Sequence, residues 1–97
     1  RGWLKAAMAE WRERAPIVIR LTKRHAEHLA QDWYYRHAAF EEVGPDSILM
    51  TFGESSRPLV FNLLRWLGPG AELLEPAEWR PAFAAELRDL AAAYDEP

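Results

Sequence analysis

The chain has 97 residues, the length of one domain. An apolar share of 49% with five tryptophans is enough for a packed core, and the absence of cysteine excludes a disulfide framework, a thiolate nucleophile and any cysteine-ligated metal. The net charge of −3 argues against a general nucleic-acid binder, but it is unevenly spread: residues 1–40 carry eight Lys/Arg against four Asp/Glu, and residues 41–97 four against eleven, which permits a local basic patch on an acidic domain.

In chain order, GWLKAAMAEWRER puts Trp3, Leu4, Ala7, Met8 and Trp11 on one helical stripe. It ends at Ala15-Pro16, because the residue before a proline is pushed out of the helical region. IVIRLT then alternates, with Ile17, Ile19 and Leu21 on one side and Val18, Arg20 and Thr22 on the other, as a half-buried strand does. Thr22 is the expected N-cap of a helix over TKRHAEHLAQDWYYRH, whose apolar stripe is Ala26, Leu29, Ala30, Trp33 and His37.

AFEEV reads as a short strand, Gly44-Pro45-Asp46-Ser47 as a turn, and ILMTF as a strand burying Ile48, Met50 and Phe52. Ser55 or Ser56 caps the next helix, which has Pro58 in its first turn and a stripe of Leu59, Val60, Leu63, Leu64 and Leu67. Gly68-Pro69-Gly70 stops it, and residues 71–74 form the fourth strand. A last helix starts at Glu78 or Pro81 and carries Trp79, Phe83, Leu87, Leu90 and Tyr94 at steps of three and four.

The expected fold is therefore α+β: a ferredoxin-like βαββαβ sandwich with an added N-terminal helix and a C-terminal helix. Right-handed crossovers put both inner helices on one face of the sheet. The other face would carry Val18 and Arg20, Glu41 and Val43, Leu49 and Thr51, and Glu72 and Leu74. Half of these are apolar, so Val18, Val43, Leu49 and Leu74 are candidate interface residues; scattered exposed aliphatics are the other reading.

Catalytic chemistry finds no foothold. His25, His28 and Asp32 lie at or beyond the edge of an apolar helical stripe, too few and too solvated for a zinc site. Glu41 and Glu42 are adjacent on a strand, so their side chains point to opposite faces and cannot act as a carboxylate pair. The serines have no nucleophile-elbow glycines, and the GPG turn follows a helix where a phosphate loop would open one. No enzyme, metal or cofactor is expected. Trp33-Tyr34-Tyr35 beside Arg36 and His37 reads as core with an amphipathic rim. Arg20, Lys23 and Arg24, at a strand end and the start of a helix, are the candidate ligand residues for a nucleic acid or nucleotide phosphate; simple solvation is the alternative.

Two stretches carry a resemblance. LLRWLGPGAELLEPAEWRPAFAAELRDLAAAY is similar to the end of bacterial WYL-domain transcriptional regulators, in which a helix meets a Gly turn, a short strand, a proline, and a helix closing on a tyrosine. APIVIRLTKRHAEHLAQDWYYRHAAFEEV resembles the same family's opening strand and helix, with Ile17, Ile19, Leu21 and Ala26 in the matching apolar places. The match covers about residues 16–94 and corresponds to the C-terminal extension, WCX, that follows the WYL domain.

The resemblance implies the same ferredoxin-like fold over residues 16–97, with residues 1–15 as a linker helix from an upstream WYL domain. The chain opens Arg1-Gly2-Trp3 and is expected to be a piece of a longer protein. The resemblance implies a regulatory, dimerisation and ligand-sensing module of a helix-turn-helix transcriptional regulator. Its partners would be the upstream WYL domain, a second protomer as homodimer, and a single-stranded nucleic acid or nucleotide effector. DNA would be met through a helix-turn-helix outside this chain. A free-standing ferredoxin-like domain binding a small molecule or nucleotide is the alternative. No apolar run reaches the roughly 18 residues of a membrane span, so no membrane partner is expected, and a cytoplasmic location fits a chain without cysteine.

Overall fold

The computed structural model describes residues 16–95. The linker helix expected over residues 1–15, and with it the boundary to an upstream domain, lies outside the described residues.

Four strands, β1 (Pro16–Leu21), β2 (Ala39–Gly44), β3 (Ser47–Gly53) and β4 (Glu72–Glu75), form one sheet in the order β2-β3-β1-β4. Every pair of neighbours is antiparallel. Three helices, α1 (Lys23–Ala30), α2 (Arg57–Leu67) and α3 (Trp79–Asp95), complete an α+β architecture.

The period-2 pattern of β1 and β3 translates directly into burial. Ile17, Ile19, Leu21, Ile48, Met50 and Phe52 all face a core that α1 closes with Ala26 and Leu29, and α2 with Val60, Phe61, Leu63, Leu64 and Leu67. In register, Phe40, Met50, Ile19 and Leu73 make one inner row across all four strands.

Local chemistry sets the ends of the elements. Thr22 accepts from the His25 N–H at 3.2 Å, as its N-cap role requires. Asp46 lies at φ 54° in the β2–β3 turn, in the left-handed region that Asp visits more readily than most residues. Its carboxylate accepts from the Lys23 N–H at 2.8 Å, which ties the hairpin to the start of α1. Ser56 caps α2 by accepting from the Leu59 N–H, and Gly68 (φ 71°) ends it. Gly70 (φ 98°) lies so close to α1 that a Cβ there would stand 3.0 Å from Thr22 Cγ2.

Several expectations need correction. The long helix through His37 breaks after Ala30, because Asp32 starts a separate 3-10 helix (Trp33–Tyr35) by accepting from the Tyr34 N–H at 2.9 Å. The break turns the aromatic segment. Trp33 is 74% exposed under the Arg36 guanidinium, while Tyr35 packs edge-on to Phe52. Ala30 is also exposed. On α2, Leu59 is exposed and Phe61 is buried in its stead, against Phe83 and Trp79 of α3. β4 starts at Glu72, not Ala71, and includes Glu75. The stripe of α3 packs only through its first turns: Leu87, Leu90 and Tyr94 are exposed.

A polar clamp holds the 3-10 helix. The Tyr34 hydroxyl donates to the buried Glu54 carboxylate at 2.6 Å, Glu54 also accepts from the Ser56 N–H, and His37 Nε2 accepts from the Gly53 N–H. The bond to Glu54, with burial, raises the Tyr34 phenol above its ordinary value. Burial pushes Tyr35 up to about 12. Among the described residues no helix is long and apolar enough to cross a membrane.

Candidate functional site

The outer face of the sheet is built from the residues that alternate with the core. One row reads Glu41, Leu49, Arg20 and Glu72 across β2-β3-β1-β4, and the next reads Ala39, Thr51, Val18 and Glu75. Leu49 and Val18 therefore sit on the two central strands beside Arg20 and Thr51, with carboxylates at three of the four edge positions. Of the candidate interface residues, Val18 and Leu49 lie half-buried in that central strip. Val43 and Leu74 fall where the register shifts, between Glu42 and Gly44 and between Leu73 and Glu75, and neither has a cross-strand partner. Both edge strands thus carry an irregularity at an aliphatic residue, a device that discourages further edge-to-edge pairing.

At the β1 start, the strip runs into a cavity of about 510 Å³ walled by Pro16, Ile17, Val18, Pro76 and Trp79, with Glu54, Glu75 and Glu78 on its lining. Pro16 is the point where residues 1–15 join the domain. Apolar walls with acidic groups at the rim suit an apolar surface bordered by basic side chains.

The three candidate ligand residues are not brought together. Arg20 donates to Glu72, which also pairs with Arg80 at 3.0 Å. The Arg20 hydrogen bond, with the charges of both arginines, holds the Glu72 carboxyl below its ordinary value. Lys23 Nζ lies 3.7 Å from Glu42. Both cations thus have an acid beside them, in pairs that stay exposed to solvent. Arg20 lines a shallow cavity of about 380 Å³ with Thr22, Asp46, Gly70 and Glu72, and neither Lys23 nor Arg24 reaches it.

Arg24 has no ion-pair partner among the described residues and lines a different hollow, between α1 and α2. His25 and His28 of α1, its C-cap Gln31 and Trp66 of α2 line it too, in a volume of about 500 Å³. Sequence reasoning passed over Trp66, since it lies off the apolar stripe of α2. A tryptophan on the polar side of an amphipathic helix was itself the available signal. Among the described residues, no group of three or more His, Asp or Glu is arranged to hold a metal ion.

Against known families, the chain matches the family model of the WCX domain over residues 13–91. No curated protein and no solved structure matches it.

Proposed function

Because the chain belongs to the WCX domain family, we propose that it is the C-terminal regulatory module of a WYL-type helix-turn-helix transcriptional regulator. In this reading it docks through its outer sheet face, serves dimerisation, and couples a ligand signal to the DNA-reading part. The observation that carries the reading is the apolar strip of Val18 and Leu49, bordered by Glu41, Glu72 and Glu75 and continuous with the cavity at Pro16. A domain attached ahead of Pro16 meets that end of the sheet first.

We read the frame as ferredoxin-like. The order β2-β3-β1-β4, with antiparallel neighbours and one helix after each of β1 and β3, supports this. The partners are the upstream WYL domain and a second protomer; DNA contact belongs to a helix-turn-helix outside the chain, and the setting is the cytoplasm. The module carries out no reaction of its own and needs no cofactor.

Sedimentation velocity tests the reading, with this chain alone and with the WYL domain supplied in trans. The expected result is association that the paired variant Leu49→Glu/Leu74→Glu abolishes while its far-UV spectrum stays native. A variant that associates like the parent chain, or a parent chain that associates with neither partner, overturns it. The hollow beside Arg24 favours a second reading, a ferredoxin-like domain that binds a small molecule or nucleotide without any partner domain.

A further inference from the structure

Arg24 and His28 stand at positions i and i+4 of α1 and Gln31, its C-cap, at i+7, so they line up along one face over roughly 10 Å. Opposite them, across the hollow, Trp66 of α2 is 64% exposed, and its indole lies with the His28 imidazole at a centroid distance of 5.3 Å and a tilt of 42°. The hollow is a small-molecule volume, about 500 Å³, with Leu67 on its wall and Glu27 as its one acid. Arg24 has no ion-pair partner among the described residues.

Each lining group asks for a different feature of an occupant. An exposed indole face beside an imidazole offers a stacking platform for a flat ring. A lone guanidinium asks for one anionic group, which it grips through parallel N–H donors. The Glu27 carboxylate accepts from a ring amino group and disfavours a second anionic group nearby. The Gln31 amide supplies a neutral donor and acceptor at the far end. A polyanion would meet one free arginine and one opposing carboxylate, so the hollow is not a phosphate-backbone site.

We propose that the α1–α2 hollow binds a small ligand made of a flat, amino-bearing aromatic ring joined to a single anionic group. The ring stacks at Trp66 and His28, and the anion meets Arg24. This deepens the ligand-sensing part of the proposed function and rests on that reading only for the ligand's role as a signal. Two sources share this chemistry, a nucleoside monophosphate and an aminated aromatic acid.

Isothermal titration calorimetry on this chain distinguishes them, with AMP and 4-aminobenzoate as the two probes. Adenosine and inorganic phosphate serve as half-ligands. At least one ring-plus-anion probe is expected to bind, and whichever binds names the source. Each half-ligand is expected to bind AMP's site at least about tenfold more weakly than AMP if AMP is the one that binds. Arg24→Gln and Trp66→Ala should each weaken the binding probe about tenfold, the cost of one charge-assisted contact or one stacked ring. Lys23→Gln should leave it within about twofold, since Lys23 stands outside the hollow.

Leu49→Glu separates this proposal from the docking reading, because it changes the docking face and lies outside the hollow. Absence of heat with both probes, or Arg24→Gln and Trp66→Ala variants that keep native circular dichroism and bind like the parent, overturns the assignment. Binding lost in Leu49→Glu but kept in Arg24→Gln would put the ligand on the sheet and overturn it as well.

Discussion

The two faces of one sheet teach different things. Inside, Phe40, Met50, Ile19 and Leu73 run in a row from edge to edge, and the neighbouring rows add Ile17, Leu21, Ile48 and Phe52. Outside, the row that backs on to it reads Glu41, Leu49, Arg20 and Glu72. The same backbone, with side chains alternating from face to face, thus carries a dry layer and a mixed one. The inner layer holds the fold together by burial. The outer layer contributes little to the fold and keeps an apolar strip between acidic borders, an arrangement more useful to a partner than to the domain's own stability.

The largest test of that contrast lies within β3. Phe52→Ala is expected to cost about 3–5 kcal/mol in urea unfolding, because a large buried ring leaves a cavity. Leu49→Ala, three residues earlier but on the other face, should cost about 1 kcal/mol or less. Equal losses at the two positions would erase the distinction between the faces.

A smaller effect is expected where the inner layer meets solvent. Tyr34→Phe removes one of the hydrogen bonds to the buried Glu54 carboxylate and should cost about 1–3 kcal/mol in the same assay. Tyr35, whose phenol is pushed up to about 12 from its ordinary value of 10.0, tests the same rim in alkali. Its contribution is whole below pH 10, since folded and unfolded forms are then both protonated. It fades as pH rises towards 12, where the unfolded form loses the proton first. Absorbance titration at alkaline pH should show a late phenol that Tyr35→Phe deletes, with stability falling less steeply in the variant.

The smallest effect belongs to the outer face. Glu72→Gln should cost under about 1 kcal/mol, because its pairs with Arg20 and Arg80 are exposed and screened, and salt should shrink it further. The Glu72 carboxyl is held below its ordinary value of 4.5, so its contribution is present above that pH and disappears as pH falls through the lower folded value. Acid unfolding of the variant should lack that component.

What was legible in the sequence follows from these physics. IVIRL and ILMTF show a clean period of two, so the faces of β1 and β3 could be assigned residue by residue. Thr22, Ser56 and Gly68 are short-range signals, and each caps its helix as expected. The error at Trp33 came from extending a helical stripe through Asp32, whose carboxylate in fact starts a new turn. A periodic pattern does not reveal a break that one side chain makes. Nor does it reveal a register shift, so Val43 and Leu74 looked like regular members of the outer face. The surroundings of the basic set were hidden for another reason: the acids beside Arg20 and Lys23, Glu72 and Glu42, lie far along the chain and come close only through strand pairing. The hollow at Arg24 needed α1 and α2 side by side, which no single segment encodes.

On the proposed reading the outer face, and not the inner one, meets a WYL domain. Methyl NMR tests it most directly, by comparing this chain alone with the same chain joined to a WYL domain. The account predicts that the Val18, Leu49 and Leu74 methyl signals move, while those of Leu21, Leu29 and Leu73 stay close to their places. Unmoved outer methyls, or changes confined to Leu87 and Leu90 of α3, would contradict it.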